Sequence, residues 1–469
     1  MSARRPAARE ELCELTARGL AGRIRRRQVS AAEALEAHLA RIAAHNPSLN
    51  AVVSLDPARA RRLARSADAA LARGDAWGPL HGVPMTLKDG HDVVGLRTTL
   101  GTAELDRVAD EDGAVAARLR AAGAILVGHT NVAAWLGDPL QTGNPVFGRT
   151  ANPWDPARTP GGSSGGAAAA VAAGLTPLEV GSDLGGSIRL PAALCGVYGL
   201  KTTEHRVPLT GFFRPPAGAP RPVRILSSLG PFARDLDDLE LALGIVAGPD
   251  HRDADVPPVP LGPRRRRPLE ELRLSVVEAL PGTRVARSVR QTLQRVAARA
   301  SDAGASVVGR LPRVDWDRLH ALFGDLTGAI MGVFSPGADV RDEQRSLAFY
   351  LAALDERDRL VSTWQTFFED VDALVLPAAP AAAFTHRDVG APVEVDGEPT
   401  SYWEHLRLQV FCNLVGLPAL AVPAGLDEAG LPLGIQLVGP LWSEARLLEI
   451  ARELERADLL PGFQPPPGA

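Results

Sequence analysis

The stretch 160-PGGSSGGAAAAVAAG-174 sets two adjacent serines among four glycines and runs them into an alanine-rich segment. Glycine lets the backbone approach other groups closely and adopt angles closed to most side-chain-bearing residues. A helix start offers free N–H groups. Three readings fit such a loop: a phosphate cradle, a tight turn without chemistry, or a seat for a reactive hydroxyl. The Lys-Ser/Thr pair that closes a phosphate-binding loop is missing. A bare turn stays open, because Gly-Ser clusters are common punctuation between elements.

A second cluster, 181-GSDLGGSIRLP-191, follows an apolar run read as a strand and presents Ser187 after two glycines. A nucleophilic hydroxyl needs a base for its proton and backbone donors for the oxyanion that forms. The N–H groups of Leu184, Gly185, Gly186 and Ser187 are the candidate donors. No His-Asp pair offers itself by spacing as the base. A lysine can serve if burial strips its charge, since desolvation lowers an ammonium pKa by several units. Lys88, closing the apolar run in 82-GVPMTLKDG-90, is the lysine best placed by pattern. The chain holds very few lysines beside its many arginines, and arginine does not deprotonate in proteins.

The remaining composition excludes more than it specifies. With a formal net charge of −4 over 469 residues, the overall balance does not point to nucleic acid or an anionic membrane. The run 264-RRRR-267, inside the proline-rich 251–271 segment, reads as an exposed connection. No apolar run approaches the roughly 18–20 residues of a membrane span, and the N-terminus lacks a signal-peptide core, so a cytoplasmic location is expected. Cys13, Cys195 and Cys412 are far apart and form no CxxC pair, and there is no HExxH. Neither a disulfide framework nor a metal is expected, and no cofactor is called for. His81 and His91 read as structural, and Cys195 as a small buried residue.

Along the chain, Ser30 and Glu33 form a capping box opening a helix that Pro47 is expected to end. Pro57 opens a second helix ending near Gly74. Strand and helix then alternate: GVPMTLKDG (82–90) as a strand ending at Lys88 and Asp89, DGAVAARLRAAG (112–123) as a helix, AILVGHT (124–130) and LEVGSD (178–183) as strands, and later LRLSVVE, VDALVLPAAP, ALAVPAG and LPLGIQLVGP as strands. Ser443 is expected to cap the closing helix. Such alternation predicts an α/β fold, a single large α/β/α domain with a twisted, mixed, mostly parallel central sheet. The expected layout is one domain over 1–469, with a helical segment at about 7–75, a core at 76–250 and a further α/β portion at 251–469.

The two serine loops, PGGSSGGAAAAVAAG followed by GSDLGGSIRLPAALCGVYGLKTT, resemble the signature region of the amidase signature family of serine hydrolases. Lys88 stands 75 residues before Ser163, and Ser187 stands 24 after it, in keeping with that likeness. It extends through LHGVPMTLKDG, NPVFGRTANPWD, SLGPFARDLDDL and NLVGLPALAVPAGLDEAGLPLGIQLVGP, covering about residues 10–457. The resemblance implies that Ser187 is the nucleophile and forms an acyl-enzyme. It implies that Ser163, after a cis peptide bond at Gly162–Ser163, relays protons to a neutral Lys88. Ser164 would support the loop, and Asp183 and Arg189 would brace it.

The function implied is amidase activity on a small carboxamide, with no nucleic-acid or membrane partner and a homodimer left open. Candidate pocket walls lie in 135–142, 210–218 and 329–337, with Trp135, Phe212, Phe213, Met331 and Phe334 suited to an apolar or aromatic acyl group. An alternative is the glutaminase subunit of a tRNA-dependent amidotransferase. Against it, TGNP at 142–145 departs from the TENS associated with that subunit. A catalytically silent scaffold is the third reading; Lys88, Ser163 and Ser187 all being present argues against it.

Overall fold

The computed structural model describes residues 11–214, 221, 223–332 and 346–468. All of 333–337, Phe334 included, and 215–218 of another expected pocket wall lie outside the described residues.

Helices α1 (Ala17–Arg25) and α2 (Ala31–Leu49) precede strand β1 (Val52–Leu55) and helix α3 (Pro57–Ala72). The Ser30–Glu33 capping box is present, but α2 runs two residues past Pro47 and ends in left-handed Asn50. Then come β2 (Pro84–Lys88), α4 (Ala114–Ala121), β3 (Ile125–Thr130), α5 (Gly165–Ala172), β4 (Leu178–Asp183), α6 (Arg189–Cys195), β5 (Tyr198–Lys201), β6 (Ser228–Ala233) and α7 (Leu236–Val246). The second half supplies β7 (Arg273–Val276), α8 (Arg287–Asp302), β8 (Ser306–Val308), α9 (Trp316–Gly332), α10 (Leu347–Phe367) and β9 (Ala373–Pro377). It closes with α11 (Arg407–Leu414), β10 (Ala419–Leu426), β11 (Pro432–Val438) and α12 (Glu444–Arg456). Ser443 precedes α12, yet its hydroxyl donates to Pro440 O at 2.7 Å instead of capping the helix.

Eight strands form one mixed sheet in the order β8-β7-β9-β11-β10-β5-β6-β4, and β1-β3-β2 form a second. The α/β class stands, but the expected parallel majority does not. In the large sheet only β7 pairs in parallel, with β8 and β9; the other five pairings are antiparallel. The reason lies in how the crossovers are filled. Strand β4, helix α6 and strand β5 form a crossover whose two strands run the same way, but β6 inserts antiparallel between them. The short turn from Leu426 to Pro432 forces β10 and β11 into a hairpin. Strand–helix alternation reports the crossover, not what occupies the gap.

Helix α5 joins the two sheets. All of its residues, GGAAAAVA, are buried, as expected of a helix apolar all round. Its small side chains let it touch β2 and β3 on one side and β4 and β6 on the other. A Cβ on Gly166 would fall 2.4 Å from Asn131 O, so the approach tolerates no side chain there. This packing sets the loop before α5 against the C-terminal end of β2.

The proline- and arginine-rich connection lies against the second half. Arg264 meets Glu449 at 2.9 Å, Arg266 meets Glu453 at 3.1 Å, and Arg267 meets Asp372 at 2.8 Å.

Candidate active site

All five residues of β2 are buried, so its last side chain, Lys88, is carried into the interior. Lys88 Nζ lies 2.8 Å from Ser163 Oγ, 2.7 Å from Ser164 Oγ and 2.9 Å from Ser182 Oγ. Burial pushes its pKa down to about 7, against the pull of Asp183, Glu179 and Asp89, which favour the charged form. The chain's other lysine, Lys201, is also fully buried. Every exposed basic side chain among the described residues is therefore an arginine or a histidine, and lysine is kept for the interior.

Ser163 follows a cis peptide bond at Gly162–Ser163. Gly162 is boxed in by backbone: an added Cβ would sit 2.3 Å from Gln141 O and 2.4 Å from Asp138 O. Thr142 ties the loop to the helix behind it, its hydroxyl donating to Gly161 O at 2.9 Å and accepting from the Gly165 N–H at 3.0 Å. Ser164 Oγ donates to Ser182 O at 3.2 Å.

The second serine loop hangs on one carboxylate. Asp183, the last residue of β4, accepts from the Gly186 N–H at 2.8 Å and the Ile188 N–H at 3.1 Å. Arg189 completes a bidentate pair with it, Nε to Oδ2 at 3.0 Å and Nη2 to Oδ1 at 3.0 Å, both side chains fully buried. Burial alone would raise the Asp183 pKa, but the Arg189 guanidinium outweighs it and holds the carboxyl below its ordinary range.

The remaining guanidinium N–H groups are taken by Gln409 O, Gln436 Oε1 and Asn413 Oδ1 at 3.1, 3.0 and 2.7 Å. Asn413 Nδ2 donates back to Asp183 Oδ1 at 3.0 Å and to Leu226 O at 2.9 Å. A buried ion pair needs its remaining hydrogen-bonding capacity met in this way to offset desolvation.

Ser163, Ser182 and Ser187 open onto one cavity of about 270 Å³, together with Leu184 and Gly185. Gly186 stands apart from the four expected oxyanion donors. It does not line the cavity, and its N–H is already given to Asp183. With φ at +105° and a Cβ position 2.6 Å from the Gln409 side chain, it serves the turn. The far walls bring Trp135, Phe212, Phe213 and Met331 together, with Phe323 and Trp403 in addition. Among the described residues Arg221 is the one charged side chain of the lining, and it is already paired with Asp253 at 2.7 Å and with Asp255.

Ser182, Asn413 and Gln436 join the site without having stood out in the sequence. Ser182 had a signal, since it sits beside Asp183 at the end of the strand feeding the second serine loop. Asn413 and Gln436 lie in the NLVG and GIQLV stretches, which carry the resemblance without an assigned role. Cys195 is buried, and its thiol is pushed far up by burial, so it is no rival nucleophile. His91 is buried and held down to about 3 by burial, His129 and Lys88. Among the described residues no group of three or more His, Cys, Asp or Glu could hold a metal, and no helix is long and apolar enough to cross a membrane.

The family model described as Amidase matches residues 33–323 and 325–448. The chain belongs to this family, the amidase signature enzymes, which hydrolyse carbon–nitrogen bonds. It is 34% identical over 92% of its length to the A-subunit of glutamyl-tRNA(Gln) amidotransferase from Synechococcus sp. (strain RCC307), covering 95% of that protein. A solved structure from a vestigial protein complex tied to the origins of an s-triazine catabolic enzyme superposes with a TM-score of 0.85 at 28% identity, over 96% of this chain and 100% of that one. A bacterial aryl acylamidase of the amidase signature family superposes at 0.80 and 26% identity, over 95% and 96% of the two chains.

Proposed function

We propose that the protein hydrolyses a small carboxamide with an apolar or aromatic acyl group through an acyl-enzyme on Ser187. The observation that carries this reading is the sealed contact of Lys88 Nζ with Ser163 Oγ at 2.8 Å. A neutral amine has two N–H groups and one lone pair. Ser164 spends its own hydrogen on Ser182 O, so it accepts from Lys88; Ser182 Oγ takes the second N–H. The lone pair is left for the Ser163 hydroxyl. Ser163 in turn draws the proton from Ser187 as that oxygen attacks the amide carbon.

The oxyanion is held by the N–H groups of Leu184, Gly185 and Ser187, with Gly186 holding the loop's shape. The relay then reverses: Lys88 returns a proton through Ser163 to the departing nitrogen, which an amide needs in order to leave. Water attacks the acyl-enzyme by the same path. Asp183 and Arg189 act by fixing the loop, without touching substrate.

The sequence relatives favour a second reading, since several at 33–36% identity are named as the A-subunit of glutamyl-tRNA(Gln) amidotransferase. In that reading the same chemistry would release ammonia from glutamine for a partner. The cavity weighs the other way. Glutamine carries an ammonium and a carboxylate that need charged partners, and the described lining offers only an Arg221 already paired twice.

The test is ammonia release by the isolated protein from aliphatic, aromatic and amino-acid amides. Turnover of benzamide-like or medium-chain amides above glutamine supports the first reading. Glutamine turnover that needs co-purified subunits supports the second and overturns the first.

A further inference from the structure

The arginine-rich connection forms one wall of an open groove of about 700 Å³ that shares no lining residue with the active-site cavity. Arg265, Arg267, Arg273 and Arg446 all line it. A single buried carboxylate anchors the last three. Asp372 accepts from Arg267 Nη1 at 2.8 Å, from Arg267 Nη2 at 3.2 Å and from the Arg273 N–H at 2.7 Å. It lies 3.5 Å from Arg273 Nη2 and also pairs with Arg446.

One negative charge thus faces three guanidinium groups. Glu271, 3.9 Å from Arg267, offsets another positive charge, but Arg265 has no ion pair among the described residues and restores it. Glu449 at the groove's edge is already taken by Arg264 at 2.9 Å and Arg452 at 2.5 Å. Four arginines against Asp372, Glu271 and Glu449 leave the lining with an excess of one positive charge.

Two further observations mark the groove as unfinished by the chain itself. Arg446 Nε is buried without a partner. Ser443, the residue before α12, turns its hydroxyl to Pro440 O, so the first turn of that helix, whose Ala445 and Arg446 line the groove, has no side-chain cap. Burial first, then Arg267 and Arg273 beside it, pushes the Arg446 pKa down to about 10.

We propose that this groove binds a dianionic phosphate group, either inorganic phosphate or the phosphate monoester of a small molecule. The excess positive charge favours an anion, planar guanidinium forks match phosphate oxygens, and an uncapped helix start favours the same charge.

The experiment is calorimetric titration of the full-length protein with inorganic phosphate and, separately, with glycerol 3-phosphate, at constant ionic strength against sodium chloride. Saturable binding is expected, weakened about tenfold or more in Arg446→Gln. Arg265→Gln, which breaks no ion pair, is the second variant and is expected to weaken binding with the melting temperature unchanged. Tighter binding of the monoester identifies a phosphorylated metabolite as the ligand; equal binding identifies phosphate itself. Heats that do not saturate, that chloride reproduces, or that both folded variants keep unchanged overturn the proposal. Amide turnover is not the readout, so the result stands apart from the catalytic assignment.

Discussion

If Lys88 is the base, pH decides how much enzyme can act. Burial takes its pKa from 10.5 to about 7. At pH 7 about half the molecules then hold a neutral amine, against roughly three in ten thousand for an ordinary lysine, a gain of about a thousandfold. Measured on an activated amide between pH 5 and 10, kcat/KM should rise about tenfold per pH step below pH 7 and level off above it. Lys88→Arg keeps the charge but cannot surrender a proton, so it should lose about a thousandfold or more and the rising limb with it.

Stability carries the same signature. The folded pKa lies below the unfolded one, so between about pH 7 and 10.5 the unfolded chain binds the extra proton. The cost of burying Lys88, about 5 kcal/mol, is therefore fully present below pH 7 and is relieved as pH rises to 10.5. In Lys88→Met that relief should vanish from the stability curve. A limb centred near pH 10, or a flat profile with the chemical step shown to limit the rate, would refute a buried neutral lysine as the base.

Ser187→Ala should abolish turnover and labelling by a fluorophosphonate while the melting temperature moves by no more than about 1 °C, since the side chain lies at a cavity wall; normal turnover would reject the nucleophile. Asp183→Asn leaves Arg189 buried without its charge partner and should cost about 3–5 kcal/mol in denaturant unfolding. It also removes a charge that raises the Lys88 pKa, so any residual activity should show its limb at lower pH. Gly186→Ala puts a Cβ against the Gln409 side chain at a left-handed φ, and kcat should fall without a matching rise in KM. Across a series of straight-chain amides, kcat/KM should climb about fourfold per methylene until the cavity fills, as about 0.8 kcal/mol per buried CH₂ implies.

What the sequence made legible was local. The Ser30 box, the strand 178–183 and the burial of Lys88 each follow from a few consecutive residues: a cap, an apolar run, a cation closing that run. The two serine loops were legible as dense Gly-Ser clusters, although the neighbours that demand glycine at Gly162 and Gly186 (Gln141 and Asp138, and Gln409) lie far off in sequence. The strand order was not legible, because whether β6 fills the gap between β4 and β5 depends on a pairing across thirty or more residues. The support around Arg189 was hidden for the same reason. Asn413 and Gln436 reach it from more than 220 residues away, and an amide side chain has no periodicity to betray its partner. Ser443 shows the converse failure, since a correct cap residue spent its hydroxyl elsewhere.

The cavity and the machinery beside it come from different parts of the chain, and this bears on how the relatives should be weighed. Lys88, Ser163, Ser164, Ser182 and Ser187 all lie within 88–187, on β2, at the start of α5 and at the end of β4, braced by Asn413 and Gln436 behind them. The walls that would meet an acyl group come from the stretches between, at Trp135, Phe212, Phe213, Phe323, Met331 and Trp403. Identity of about 34% spread over most of the chain speaks for the braced chemistry, where a buried ion pair and three hydroxyls on one amine leave little freedom. It speaks far less for the walls, where apolar side chains of similar volume exchange at small cost. A shared name therefore bears on the chemistry of this chain more than on its substrate, and the amide screen decides which amide fits.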